Sequence, residues 1–113
     1  MADPSSKRTW LTVPELVEIL GVPPSRVRRL IEDRHLLAAR RDGVLVVPAD
    51  FLSGNEPLGE LRGTLIVLAD AGFSDEEAMR WLLDPEEALG AAPIDALRSG
   101  RKTEVRRVAQ ALA

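Results

Sequence analysis

The chain has 113 residues and a formal charge of −3, with 45% hydrophobic and 29% charged side chains, enough for one compact domain or two small modules sharing a core. It is too apolar for disorder over its whole length, and no run approaches the roughly 18 apolar residues a membrane span needs. With no cysteine, no tyrosine and one histidine, it lacks the material for disulfides, thiolate catalysis or Cys-based zinc sites, and Met1 to Arg8 contain no apolar stretch of a secretory signal. The expectation is a cytoplasmic binding protein without membrane contact or cofactor, and not an enzyme.

In chain order, residues 1–9 read as a disordered tail, given Pro4, Ser5 and Ser6 and no apolar anchor, and Trp10 opens the ordered region. Thr12 reads as an N-cap, with Pro14 in the first turn and Glu15 completing a capping box. Val13, Leu16, Val17 and Leu20 then recur at helical spacing, and Gly21 stops the helix. After Val22-Pro23-Pro24 a second helix is predicted from Ser25 to Asp33. Its apolar stripe is Val27, Leu30 and Ile31; Ser25, Arg29 and Glu32 face away from it, and Arg26 and Arg28 flank it. Residues 36–41 and 44–48, joined by Asp42-Gly43, read as a β-hairpin. Phe51 and Leu52 close this module, and Ser53 to Pro57 read as a linker.

The second half reads as helical. Leu58, Leu61, Leu65 and Leu68 share a face, with Gly72 as the stop. Ser74-Asp75-Glu76-Glu77 is a capping box that opens a helix containing Met79, Trp81, Leu82 and Leu83. Asp84-Pro85 starts a short helical turn ending at Gly90, and Pro93 to Leu97 forms another before Gly100. Val105, Val108, Ala109 and Leu112 mark the last helix. The fold class is therefore mainly α: a winged helix-turn-helix over residues 10–52, then a small helical domain over residues 58–113.

Charge is unevenly spread. Between residues 26 and 41, six arginines (Arg26, Arg28, Arg29, Arg34, Arg40, Arg41) stand against Glu32 and Asp33, whereas between Asp70 and Glu87 seven acids face Arg80 alone. An acidic total does not exclude nucleic acid, because the charge of one face decides the matter. A helix, a tight turn, a second helix with outward arginines and an arginine-bearing hairpin suit double-stranded DNA. Ser25, Arg26, Arg28 and Arg29 would enter the major groove, where arginine reads guanine or clamps phosphate. Arg40 and Arg41 on the wing, and Lys7 and Arg8 in the tail, would neutralise phosphates. Glu32 would repel phosphate, so the contacts should come from the N-terminal end of that helix.

Other polar residues receive blander readings. Trp10 and Trp81 are read as core anchors and His35 as structural. Asp75, Glu76 and Glu77 answer the dipole of their helix rather than a metal or a reaction. Arg98, Arg101, Lys102, Arg106 and Arg107 suit either a second DNA-contacting surface or pairing with the acidic stretch 70–87, within one molecule or between two, and pairing is the expectation. Ser5, Ser6 and Thr9 are candidate phosphorylation sites, because negative charge beside Lys7 and Arg8 would weaken DNA binding.

Residues 11–52, above all Leu11-Thr12-Val13-Pro14-Glu15-Leu16-Val17-Glu18-Ile19-Leu20-Gly21-Val22, resemble the MerR/excisionase-type winged helix-turn-helix. Val17 departs from the small alanine usual there, and Pro23 from the usual Ser or Thr cap. Trp81-Leu82-Leu83-Asp84-Pro85, Ala88-Leu89-Gly90 and Pro93-Ile94-Asp95-Ala96-Leu97-Arg98 resemble the helical domain of ParS/Xre-type antitoxins. Beyond residue 10 the chain as a whole is similar to a small actinobacterial family of DNA-binding proteins with a helical C-terminal domain. The resemblance implies a transcriptional regulator or nucleoid-associated protein, with residues 58–113 available for a homodimer contact or a protein partner. The alternative is an antitoxin-like module whose helical half binds a toxin or another protein.

Overall fold

The computed structural model describes residues 8–113. Strand β1 (Trp10–Thr12) leads directly into helix α1 (Val13–Leu20). Thr12 caps α1 through the Glu15 amide, and Glu15 reaches back to the Thr12 amide at 2.9 Å, which is the expected capping box. Gly21 ends the helix in the left-handed region at φ 67°, a conformation that costs glycine little. Helix α2 (Pro24–Glu32) follows a three-residue turn and packs on α1 through the fully buried Leu16 and Val27.

Strands β2 (Ala39–Arg41) and β3 (Val44–Pro48) form the predicted hairpin. Asp42 at φ 52° and Gly43 at φ 79° give both central residues the positive φ of a type I′ turn, whose twist matches the strands it joins. The sheet has the order β1-β3-β2, with Leu11 opposite Val47. The β1 strand has no independent sequence signal: three residues pair only because β3 is there to receive them. Leu36 and Leu37, expected in the hairpin, instead lie in a non-strand segment and are buried, so burial outweighed their strand propensity.

A 3-10 turn (Ala49–Phe51) leads to strands β4 (Leu52–Ser53) and β5 (Glu56–Pro57). Residues 53–57 are thus a paired hairpin, not a free linker, and the Leu58 amide donates to the Phe51 carbonyl at 2.9 Å. Helices α3 (Leu61–Asp70), α4 (Asp75–Leu83), α5 (Pro93–Arg98) and α6 (Lys102–Ala111) complete the chain. The Ser74/Glu77 capping box opens α4 as expected. The short helical turn expected to end at Gly90 is a single turn, in which the Leu89 and Gly90 amides both donate to the Glu86 carbonyl at 3.0 Å; a Glu86–Ala91 bridge closes it, and Leu89 lies in the core.

Both halves contribute to one hydrophobic core. Leu11, Leu16, Val27, Leu36 and Phe51 join the same cluster as Leu61, Leu65, Leu82, Ile94 and Val105. The short helices and small sheets of either half could not bury enough apolar surface alone; packed together, they enclose Phe51 completely.

Candidate nucleic-acid interface

Helix α2 turns Val27 into the core and half-buries Leu30 and Ile31, which leaves the opposite face to polar residues. Ser25 and Arg29 are exposed on it, and Arg26 and Arg28 are exposed on its flanks. The first turn holds no acidic residue, and its N-cap, Pro23, makes no side-chain hydrogen bond. The positive end of the helix therefore faces solvent without an internal anion, the electrostatic setting that favours a phosphate. Glu32 is exposed at the far end of the helix. Arg29 lies 3.9 Å from Asp33 in an open ion pair, which leaves its guanidinium accessible.

The wing carries Arg40 and Arg41, both exposed. Arg40 donates to the Gly43 carbonyl at 3.4 Å, across the turn. The Arg41 guanidinium lies 4.6 Å from the centre of the Trp10 ring, a cation–π contact that orients it. Half-buried Trp10 is thus a platform for a wing arginine as well as part of the core margin. A cleft of about 760 Å³ opens between the wing and α4, lined by Arg40 and Arg41 on the wing side and by Asp75, Glu76, Arg80 and Asp84 on the other.

Arg34, Arg62 and Arg8 bind between the two halves of the molecule. Arg34, the fourth member of the basic run, pairs with Asp75 of α4 at 2.6 Å. Arg62 of α3 donates from Nε to the Asp33 carbonyl at the end of α2, at 2.9 Å. No sequence pattern marked Arg62, since a single arginine on an apolar helix resembles any solvated residue. Arg8 is largely buried and bridges the two halves: it pairs with Asp50 at 3.3 Å and Asp95 at 3.0 Å and donates to the Leu83 carbonyl. Burial alone lowers its pKa, but hydrogen bonding and charge from Asp95, then from Asp50, raise it above the ordinary value. Arg8 is therefore a brace rather than the free phosphate contact expected of a tail residue.

Lys7, Ser5 and Ser6 lie outside the described residues. Thr9 is exposed, and its carbonyl accepts the Ala49 amide at 2.9 Å, so the expected disordered tail does not extend to residues 8 and 9. The basic residues near the C-terminus do not reach the acidic stretch 70–87 as expected. Arg98 donates to the carbonyls of Asp50 and Leu52, Arg106 to the Glu60 carbonyl and the Thr64 hydroxyl, and Arg101 pairs with Glu104. Trp81 packs edge-on against Phe73 and donates to Glu86 at 3.2 Å. His35 is exposed, and its amide closes the end of α2. Among the described residues, no cluster of His, Asp or Glu is arranged to hold a metal ion, and no helix is long and apolar enough to cross a membrane.

Comparison with known proteins matches both halves. Residues 4–52 fit the family model described as the winged helix-turn-helix domain of DNA-binding protein Rv2175c, and residues 58–113 fit the Rv2175c C-terminal domain of unknown function. The chain is 38% identical to DNA-binding protein Rv2175c of Mycobacterium tuberculosis (strain ATCC 25618 / H37Rv), over 89% of this chain and 78% of that protein. The NMR structure of Rv2175c superposes with a TM-score of 0.86 at 36% identity, covering 95% of this chain and 82% of that one.

Proposed function

The chain belongs to the Rv2175c family, and on that basis, together with the exposed arginine face of α2, we propose that it binds double-stranded DNA. Docking follows the MerR/excisionase manner: the N-terminal part of α2 enters the major groove with Ser25, Arg26, Arg28 and Arg29, while Arg40 and Arg41 hold the neighbouring backbone. The observation that carries this reading is the juxtaposition of an acid-free first turn of α2, three exposed arginines and an arginine-bearing wing on one small module.

Such a protein acts on the chromosome as a transcriptional regulator or nucleoid-associated protein. A homodimer through residues 58–113, where Ile66 of α3 and Leu112, just past the end of the neighbouring α6, remain exposed, would double the number of phosphates engaged. The helical half spends most of its apolar surface in the core it shares with the DNA-binding half, so no observation favours toxin binding as its purpose.

The test is binding to a labelled duplex across a salt series, with wild type beside an Arg26/Arg28/Arg29→Ala variant. Each lost phosphate contact reduces the slope of log K against log salt by about 0.9, so the variant should lose a slope of about two to three along with its affinity. Equal slopes would remove α2 from the interface. Absence of wild-type binding at low salt would refute DNA binding itself.

A further inference from the structure

The helical half has no function attached to it in the family, and the way it grips the end of α2 suggests one. We infer that the C-terminal half positions the recognition helix, through Asp75 on the Arg34 side chain and Arg62 on the Asp33 carbonyl. The inference rests on the DNA-binding reading above.

The grip falls where α2 needs it. With nine residues, α2 has little intrinsic stability and depends on tertiary contacts to fix its direction. Its C-terminal end is a Schellman motif: the Arg34 amide donates to the Ile31 carbonyl at 3.1 Å and the His35 amide to the Leu30 carbonyl at 2.9 Å. The residue in the left-handed position of that motif is ordinarily glycine, yet here it is Arg34 at φ 68°. A β-carbon disfavours this conformation, so the surroundings must over-determine it. They do: the Arg34 side chain runs to Asp75 at the start of α4, 2.6 Å away. One residue earlier, the Asp33 carbonyl accepts Nε–H from Arg62 at the start of α3. Two helices of the second half therefore hold two consecutive residues at the end of α2, leaving its arginine face outward. Arg34, Arg62 and Asp75 are positioning residues: each acts on the helix that carries the groove contacts.

The sign of the Asp75 effect separates positioning from plain electrostatics. Removing an acid close to the wing should strengthen DNA binding if charge alone matters. Positioning predicts the opposite. The experiment uses the full chain as wild type, Asp75→Asn, Arg34→Gly and the Arg62→Ala/Asp75→Asn double variant. Each is measured for duplex affinity across a salt series, thermal unfolding and amide hydrogen exchange. Asp75→Asn and Arg34→Gly should both bind more weakly, although glycine suits the left-handed position better than arginine. The double variant should lose about tenfold in affinity, as when the competent orientation falls to one-tenth occupancy. Its salt slope should stay that of wild type, because no phosphate contact is removed. Exchange should quicken in α2 while α1 and α3 stay protected. Asp75→Asn binding as tightly as wild type or more tightly would overturn the inference, and a reduced salt slope in the double variant would make Arg62 a direct contact and overturn it too. Wild type that binds no duplex would overturn the DNA reading and this inference with it. Binding indifferent to every variant would overturn this inference alone.

Discussion

Gly63 stands inside α3 where the guanidinium of Arg106, from α6, crosses its surface. A β-carbon built there would meet Arg106 Nη2 at 2.5 Å and Cζ at 2.8 Å, so the guanidinium at the flexible end of Arg106 must move aside. Arg106 donates to the Glu60 carbonyl at 3.0 Å and to the Thr64 hydroxyl at 3.2 Å, so Gly63→Ala displaces both bonds. Thr64, although fully buried, keeps its own bond to the Glu60 carbonyl at 3.0 Å and is not orphaned. Hydrogen bonds from a charged donor contribute about 1.5–3 kcal/mol each when well placed, and about 2–3 kcal/mol for this half-buried pair together is reasonable. Replacing a helical glycine by alanine returns about 0.8–1 kcal/mol. Gly63→Ala should therefore destabilise wild type by about 1–2 kcal/mol, yet stabilise an Arg106→Ala background by about 0.5–1 kcal/mol. Urea unfolding of the four proteins, with unchanged m values, gives the cycle directly. The same sign of effect in both backgrounds would refute the close approach of Arg106 as the reason for glycine.

Three further outcomes follow from the shared core and the caps. Phe51→Ala removes a fully buried ring contacted from both halves and should cost about 3–5 kcal/mol. Trp10 reports one half and Trp81 the other, so single-tryptophan variants should unfold with coincident denaturant curves, and separated transitions would refute a common core. In acid, Glu15 and Glu77 matter together. The amide of Thr12, then its hydroxyl, holds the Glu15 carboxyl below its ordinary 4.5, and Ser74 does the same for Glu77. A carboxyl lowered in the folded state contributes stability above its unfolded value and loses it as pH falls through the folded one. The Tm should therefore fall as pH drops below about 4.5, and Glu15→Gln/Glu77→Gln, which leave no carboxyl to titrate, should flatten that dependence while lowering the Tm at neutral pH. An unchanged acid profile in the double variant would refute the capping origin.

Local chemistry made much of this protein legible in its sequence. The capping boxes at Thr12 and Ser74, the stop at Gly21, the Asp42-Gly43 turn and the outward arginines of α2 depend on residues within a few positions of each other. Short-range sterics and hydrogen bonding decide such features almost regardless of what lies farther along the chain. Tertiary structure decided the rest. It made β1 a strand by offering β3, tied residues 53–57 into a hairpin, and drew Leu36 and Leu37 out of the sheet into the core. It also converted Arg8 and Arg34 from apparent members of a basic surface into internal braces, and gave Arg62 a carbonyl to hold. The partner of a long cation is fixed by which carboxylates and carbonyls the fold brings within 3–4 Å. Arg34 and Asp75 are 41 residues apart and Arg8 and Asp95 are 87 apart, distances at which charge pattern along the chain carries no information about contact.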